Sequence, residues 1–140
     1  MIAATPIRER LLEIEVNARL LAELQATPVE AFVHEPKVYK LAERCFQIAI
    51  ERMIDIADHL IAERGWPRPE SGRDALHTLG THGVLSARFA ARIEPMAGLR
   101  NLLVHGYLSI DRRKLHGRLS RVEDFREFIR HIEAFLTASG

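Results

Sequence analysis

The fold is decided by residues 37–64, which read KVYKLAERCFQIAIERMIDIADHLIAER. Apolar side chains recur there every three or four residues, which is the period of one face of an α-helix. Further apolar side chains widen this stripe, so the helix is expected to contact neighbours on two sides and to lie at the centre of a helical bundle. The predicted stripe comprises Leu41, Cys45, Ile48, Ala49, Arg52, Ile56 and Leu60, and it is widened by Phe46, Met53 and Ile61.

The residues before this stretch also show helical signals. Thr27, Pro28 and Glu30 predict a helix start, with threonine as the N-cap, proline at the first helical position and glutamate closing a capping box. Pro36 predicts that the helix restarts after one short turn, because proline can donate no backbone hydrogen bond. A first amphipathic helix is indicated by Ile7, Leu11, Ile14, Ala18 and Leu21.

Further helix signals follow the central stretch. Gly65 ends the central helix, and Ser71 begins a short third one. Ser86 caps a fourth helix, and Pro95 inside that helix is expected to kink or split it. Asp111 caps the last helix. No apolar–polar alternation lasts four residues, so the sequence predicts an all-α bundle of about five helices forming a single domain over residues 1–140.

The overall charge excludes a protein that binds nucleic acid through a global positive field. Lysine and arginine number 20 against 19 acidic residues, so the charges nearly cancel. Between Arg100 and Arg121, however, six basic side chains stand against the single acid Asp111. This basic run either attracts phosphates or forms an ordinary solvated helix face.

Cysteine and apolar content indicate a cytoplasmic protein without a membrane segment. Cys45 is the only cysteine, so an internal disulfide is impossible, and its apolar setting predicts a buried structural thiol. The first residues lack the apolar stretch of a signal peptide, and no run reaches the roughly 18 apolar residues of a membrane helix. The seven histidines show no ligand spacing with the cysteine, so no metal and no cofactor is expected.

The candidate catalytic residues lie in the stretch 100–107, which reads RNLLVHGY. On a regular helix Asn101 and His105 lie on one row, Arg100 and Tyr107 lie on the adjacent row, and the four groups are expected to meet at one groove. An imidazole titrates near pH 6.5 and can move protons, while a guanidinium binds two phosphate oxygens. This combination suits RNA cleavage by the 2′-hydroxyl without a metal, with Asn101 orienting the imidazole or binding substrate. Arginine, asparagine and histidine on a helix are also common as surface or capping residues. Tyr107 could equally be a buried tyrosine whose hydroxyl forms a hydrogen bond.

The chain resembles the HepT toxin branch of the HEPN superfamily. The similarity extends over residues 41–51 and 55–61 of the central helix, residues 71–75 at the start of the third, and residues 96–107, which contain the Arg-x4-His-x-Tyr motif of HEPN ribonucleases. The main departure is Leu99, where such proteins often carry phenylalanine.

This resemblance implies an HEPN fold and a homodimer whose two motifs face one cleft. It implies a metal-independent ribonuclease toxin that cleaves mRNA or tRNA, with Arg100 and His105 as the catalytic pair and Asn101 in support. It also implies a partner, the minimal nucleotidyltransferase antitoxin MntA, which attaches AMP to Tyr107. AMP would add bulk and negative charge beside Arg100 and so repel an RNA phosphate. Neutralisation by AMP transfer, by binding or by both stays open.

Several alternatives remain open from the residues alone. Glu51 and Asp55, four residues apart on the central helix, either position Arg100 across the bundle or are ordinary surface acids. Trp66 either stacks on a base or packs over a helix end. The competing function is a non-catalytic helical module that binds nucleotide or substrate for a minimal nucleotidyltransferase.

Overall fold

The computed structural model describes residues 4–106 and 110–139, and all regular structure in these two ranges is helical. The all-α prediction is confirmed. The expected count of about five helices is too low, mainly because the predicted fourth and last helices are each divided in two. The helices are α1 (Ala4–Leu24), α2 (Val29–His34), α3 (Pro36–Arg64), α4 (Gly72–Thr81), α5 (Ala87–Ile93), α6 (Met96–His105), α7 (Arg112–Arg118) and α8 (Glu123–Ser139), with a 3-10 turn at Leu119–Arg121.

Helix α3 is the centre of the bundle, as the sequence predicts. Helices α1, α4 and α6 all pack against it, while α8 packs on α1, α5 on α4, and α7 on α2. The predicted stripe was partly wrong: Leu41 is 39% exposed, whereas Ile50 and Ile54 are buried. Ile50 and Ile54 are buried because they face α6 and the start of α4. The spacing of a single apolar stripe does not predict these contacts.

Local capping signals fix most helix ends. The Ser71 hydroxyl accepts the Asp74 N–H at 3.0 Å, and the Ser86 hydroxyl accepts the Phe89 N–H at 3.1 Å. Asp111 caps α7, so the predicted start of the last helix is confirmed, but the 3-10 turn then separates α7 from α8. Gly65 takes a left-handed conformation with φ of 69°, which closes α3.

The predicted capping box before α2 was wrong. The N-cap is Pro28, and no side chain caps the helix. Glu30, which was expected to close the box, pairs instead with Arg113 of α7 at 2.6 Å. The backbone oxygen of Thr27 lies 2.7 Å from Nε2 of His116, also on α7. Tertiary contacts with α7 therefore hold the start of α2.

Pro95 splits the predicted fourth helix into α5 and α6, so the motif begins on a fresh helical segment, as expected. Both Glu94 and Pro95 keep right-handed helical angles, and α6 restarts at once. Helix α6 ends at His105 and is followed by Gly106, and Tyr107 lies outside the described residues. In the ranges 4–106 and 110–139, no helix combines the length and apolar content needed to cross a bilayer.

Candidate active site

The orientation of the motif is set by the face that α6 buries. Ala97, Leu99 and Leu103 are buried in the core. Each residue turns the helix by about 100°, so Arg100 and His105, five residues apart, point about 140° away from each other. Arg100 lies between Ala97 and Leu103 on the buried face and is half-buried, whereas His105 is exposed.

Arg100 lines a large cleft of about 570 Å³. The cleft lies between the second half of α3 and the loop that leads to α4, and it also contains Asp58, Trp66 and Arg68. The Nε–H of Arg100 is buried and meets no hydrogen-bond acceptor among the residues described. A buried donor without an acceptor costs about 1–3 kcal/mol, so this guanidinium is held in place by packing more than by hydrogen bonds.

The acid beside Arg100 is Asp58. Asp58 is exposed, and partial desolvation in the cleft raises its pKa. The charge of Asp55 raises this pKa further, while Arg100 and Arg68 act in the opposite direction. Residue 58 continues the helical row of Glu51 and Asp55, at spacings of four and three, so the sequence held a signal for it.

The two acids proposed to position Arg100 are engaged elsewhere on α3. Asp55 pairs with Arg52 at 3.0 Å and with Arg10 of α1 at 3.9 Å. Glu51 accepts a hydrogen bond from Gln47 at 3.1 Å. Within residues 4–106 and 110–139, neither acid forms an ion pair with Arg100.

Asn101 and His105 lie on the outer face of α6, together with Gly98 and Leu102. All four residues are exposed, and a Cβ added at Gly98 would meet nothing within 4 Å. Leu102 is 37% exposed and adds an apolar side chain to this face. The outer face of α6 is thus partly apolar and uncovered in one chain.

The expected single groove for Arg100, Asn101 and His105 does not occur within one chain. Of these three residues, only Arg100 lines the large cleft, because the rotation of α6 turns the other two to solvent. The four-residue spacing of Asn101 and His105 does place them on one row, as predicted. One chain therefore presents a guanidinium in a cleft and an imidazole on an open helix face.

The remaining candidate groups have structural roles. Cys45 is 2% exposed, and burial raises the pKa of its thiol, so the prediction of a buried structural cysteine is confirmed. Trp66 stacks on His82 with ring centroids 3.9 Å apart and also lines the large cleft. Among the described residues, no group of three or more histidine, cysteine or acidic side chains is arranged to hold a metal ion.

The helical architecture and the motif on α6 agree with one family of known proteins. The family model described as ribonuclease HepT-like matches residues 14–132, and the chain belongs to that family. The family resemblance indicated by the sequence is thereby confirmed.

Two relatives and one solved structure illustrate the similarity. The chain is 30% identical over 97 residues to the tRNA nuclease HepT of Aphanizomenon flos-aquae, and the match covers 69% of this chain and 66% of that protein, just under two thirds of it. It is 31% identical over 105 residues to the mRNA nuclease HepT of Shewanella oneidensis, covering 74% and 75%. The tri-AMPylated HEPN toxin of Shewanella oneidensis, solved in complex with an MNT antitoxin, superposes with a TM-score of 0.82 at 23% identity, covering 91% of this chain and 96% of that one. This likeness shows the HEPN fold.

The raised pKa of Asp58 makes a prediction for stability. The folded chain holds the proton of Asp58 more tightly than the unfolded chain does. The protonated carboxyl therefore contributes fully to the free energy of unfolding below the ordinary carboxyl pKa of about 4, and this contribution is lost as the pH rises through the raised pKa. We expect Asp58→Asn to unfold at a higher temperature than the wild type at pH 7, with the gap closing towards pH 4 in thermal scans.

The matched control is Asp55→Asn, which removes a carboxylate with two arginine partners and should not stabilise the chain at pH 7. If Asp58→Asn lowers the unfolding temperature at pH 7, the attraction of Arg100 and Arg68 outweighs desolvation, and the pKa of Asp58 is lowered instead of raised.

Proposed function

We propose that this chain is a metal-independent endoribonuclease toxin that acts as a homodimer and is neutralised by a nucleotidyltransferase antitoxin. The observation that supports it is the placement of two motif residues on α6: Arg100 lies in a charged cleft, and His105 is exposed on the outer face of the same helix. Membership of the HepT-like family supports the same reaction class. The substrate is RNA, since the two curated relatives are a tRNA nuclease and an mRNA nuclease.

The chemistry follows from the two side chains. The RNA 2′-hydroxyl attacks the neighbouring phosphorus, and the bond from phosphorus to the 5′-oxygen breaks. Arg100 binds the non-bridging oxygens and stabilises the charge that develops there. His105 takes the proton from the 2′-hydroxyl or gives one to the leaving 5′-oxygen. Asn101, one turn before His105 on the same row, orients the imidazole or holds the substrate.

A second copy of the chain brings these groups together. Within one chain Arg100 and His105 diverge by about 140° around α6. A twofold pairing through the outer face would cover Leu102 and let two helices approach closely at Gly98. It would also set the His105 of one copy opposite the motif of the other, so that the RNA strand lies between two α6 helices.

The cleavage test uses the full-length chain without its antitoxin. We expect Arg100→Ala and His105→Ala each to lower kcat/KM for RNA cleavage by roughly 10²-fold or more, since each removes a group that acts in the transition state. Cleavage should persist in EDTA, and an otherwise identical DNA strand should stay intact because it lacks the 2′-hydroxyl.

Two exposed residues away from the motif serve as controls: Arg19→Ala on α1 and His34→Ala on α2 should retain wild-type rates. Equal loss of activity in the controls and the motif variants would mean that α6 has no special role in cleavage. Complete inhibition by EDTA would overturn the metal-free mechanism.

Neutralisation by AMP transfer makes a separate prediction. Incubation of the chain with its cognate nucleotidyltransferase and ATP should add AMP to Tyr107 and abolish cleavage, because the added phosphate repels RNA near Arg100. Intact-mass spectrometry and peptide mapping follow the modification. Tyr107→Phe should stay unmodified and active.

Tyr39 provides the matched control for this experiment. It is the other tyrosine of the chain, it is 9% exposed, and the Arg112 guanidinium lies 3.9 Å from its ring centroid. Tyr39→Phe should therefore be modified like the wild type. AMP on Tyr107→Phe, or full inhibition of Tyr107→Phe by the partner alone, would show that the antitoxin acts by another route.

The alternative is a non-catalytic partner of a nucleotidyltransferase. The separation of Arg100 and His105 within one chain is the observation that favours it. Under this alternative the wild type, Arg100→Ala and His105→Ala are equally harmless to cells and leave RNA intact, while all three still bind the nucleotidyltransferase.

A further inference from the structure

A buried carboxylate holds two arginines beside α6. Asp124, at the start of α8, is only 2% exposed. Its two oxygens lie 3.0 Å from Nε of Arg92 and 3.2 Å from Nε of Arg121. Because these contacts engage the Nε atoms, the terminal nitrogens of both guanidinium groups keep free donor capacity. About half of each arginine side chain remains exposed.

A third arginine completes the cluster. Arg118, at the end of α7, lines the same small cavity as Arg92, Arg121 and Asp124. It forms no ion pair with any residue in the ranges 4–106 and 110–139. We call these four residues the arginine cluster (Arg92, Arg118, Arg121 and Asp124). Its three cations and one anion give it a formal charge of +2.

The cavity is small, with a volume of about 130 Å³. Apolar side chains line it beside the charged ones: Phe46, Ile50, Pro95, Met96 and Leu99. A complete nucleotide needs more room, and drug-sized ligands occupy pockets of about 300–1,000 Å³. Size and charge together point to one phosphate of a longer molecule whose remainder stays outside.

Two basic side chains of the run between Arg100 and Arg121 are engaged away from the cluster. Arg113 pairs with Glu30 at 2.6 Å, and Arg112 stacks on Tyr39. Arg118 and Arg121 instead line the cavity of the cluster, where Arg92 from α5 joins them.

The cavity of the arginine cluster borders α6, the helix that carries Arg100 and His105. Pro95, Met96 and Leu99 line its cavity, and the next residue, Arg100, lines the large cleft. Met96 and Arg100 are four residues apart, a rise of about 6 Å. Both sites therefore border α6 within about one helical turn of each other.

We infer that the arginine cluster is a phosphate-binding site that holds the RNA strand a few nucleotides from the cleaved linkage. This inference rests on the proposed ribonuclease function. Asp124 acts as a positioning residue, because it fixes two guanidinium groups before the RNA arrives and so reduces the entropy lost on binding. The site takes no part in bond cleavage and recognises no base.

The test measures binding of the full-length chain to a single-stranded RNA that carries 2′-O-methyl groups and cannot be cleaved. Arg118 is the residue to change, since it has no ion-pair partner in the described part of the chain and its loss leaves the Asp124 contacts intact. Arg118→Ala should weaken binding several-fold near 0.1 M salt. It should also lower the slope of log Kd against log salt by about 0.7, the value for one phosphate contact on a single strand.

Arg113→Ala is the matched control because it removes the same charge from the same helix, at a position where Glu30 already engages the guanidinium. It should leave the slope unchanged, and Arg118→Lys should restore the slope while recovering only part of the affinity. Fluorescence anisotropy over a salt series measures all four proteins.

The outcomes separate this inference from the proposed function. If the wild type cleaves ordinary RNA while Arg118→Ala and Arg113→Ala show the same Kd and slope, the cluster is not a phosphate site and the ribonuclease function stands. If the slopes change as expected but the wild type cleaves nothing, the ribonuclease function falls and the cluster remains an RNA contact. A wild type that binds no RNA overturns both.

Discussion

The packing of α6 against α3 is the constraint on which the rest of the structure depends. Ala97, Leu99 and Leu103 are buried there, and this contact fixes the rotation of the motif helix. With that rotation fixed, the five-residue spacing of Arg100 and His105 must send them in directions that differ by about 140°. The split at Pro95 lets α6 take this orientation independently of α5.

This constraint organises the charges around α6. On one side Arg100 shares a cleft with Asp58 and Arg68. On the other side the arginine cluster borders the first turn of the helix. The outer face, with His105 and Leu102, remains uncovered. An RNA strand that crosses α6 would thus meet positive charge on both sides and an imidazole between them.

Most helix ends could be predicted from the sequence, whereas most contacts between distant side chains could not. Ser86 and Pro95 act within a few residues of themselves, so the cap and the helix break were predicted correctly. Asp55 was considered as a partner of Arg100, but Arg10 from α1 and Arg52 engage it. The three-residue spacing of Arg121 and Asp124 indicates their contact, whereas the contact of Asp124 with Arg92 of α5 and its burial depend on tertiary packing.

The most direct test of a site shared between two copies is complementation between inactive variants. Arg100→Ala and His105→Ala chains, carrying different tags, are produced together and their mixed dimer is isolated. If Arg100 of one copy acts with His105 of the other, the mixed dimer retains one intact site of two and should recover about half of the wild-type rate. A mixed dimer as inactive as either parent would contradict a shared site.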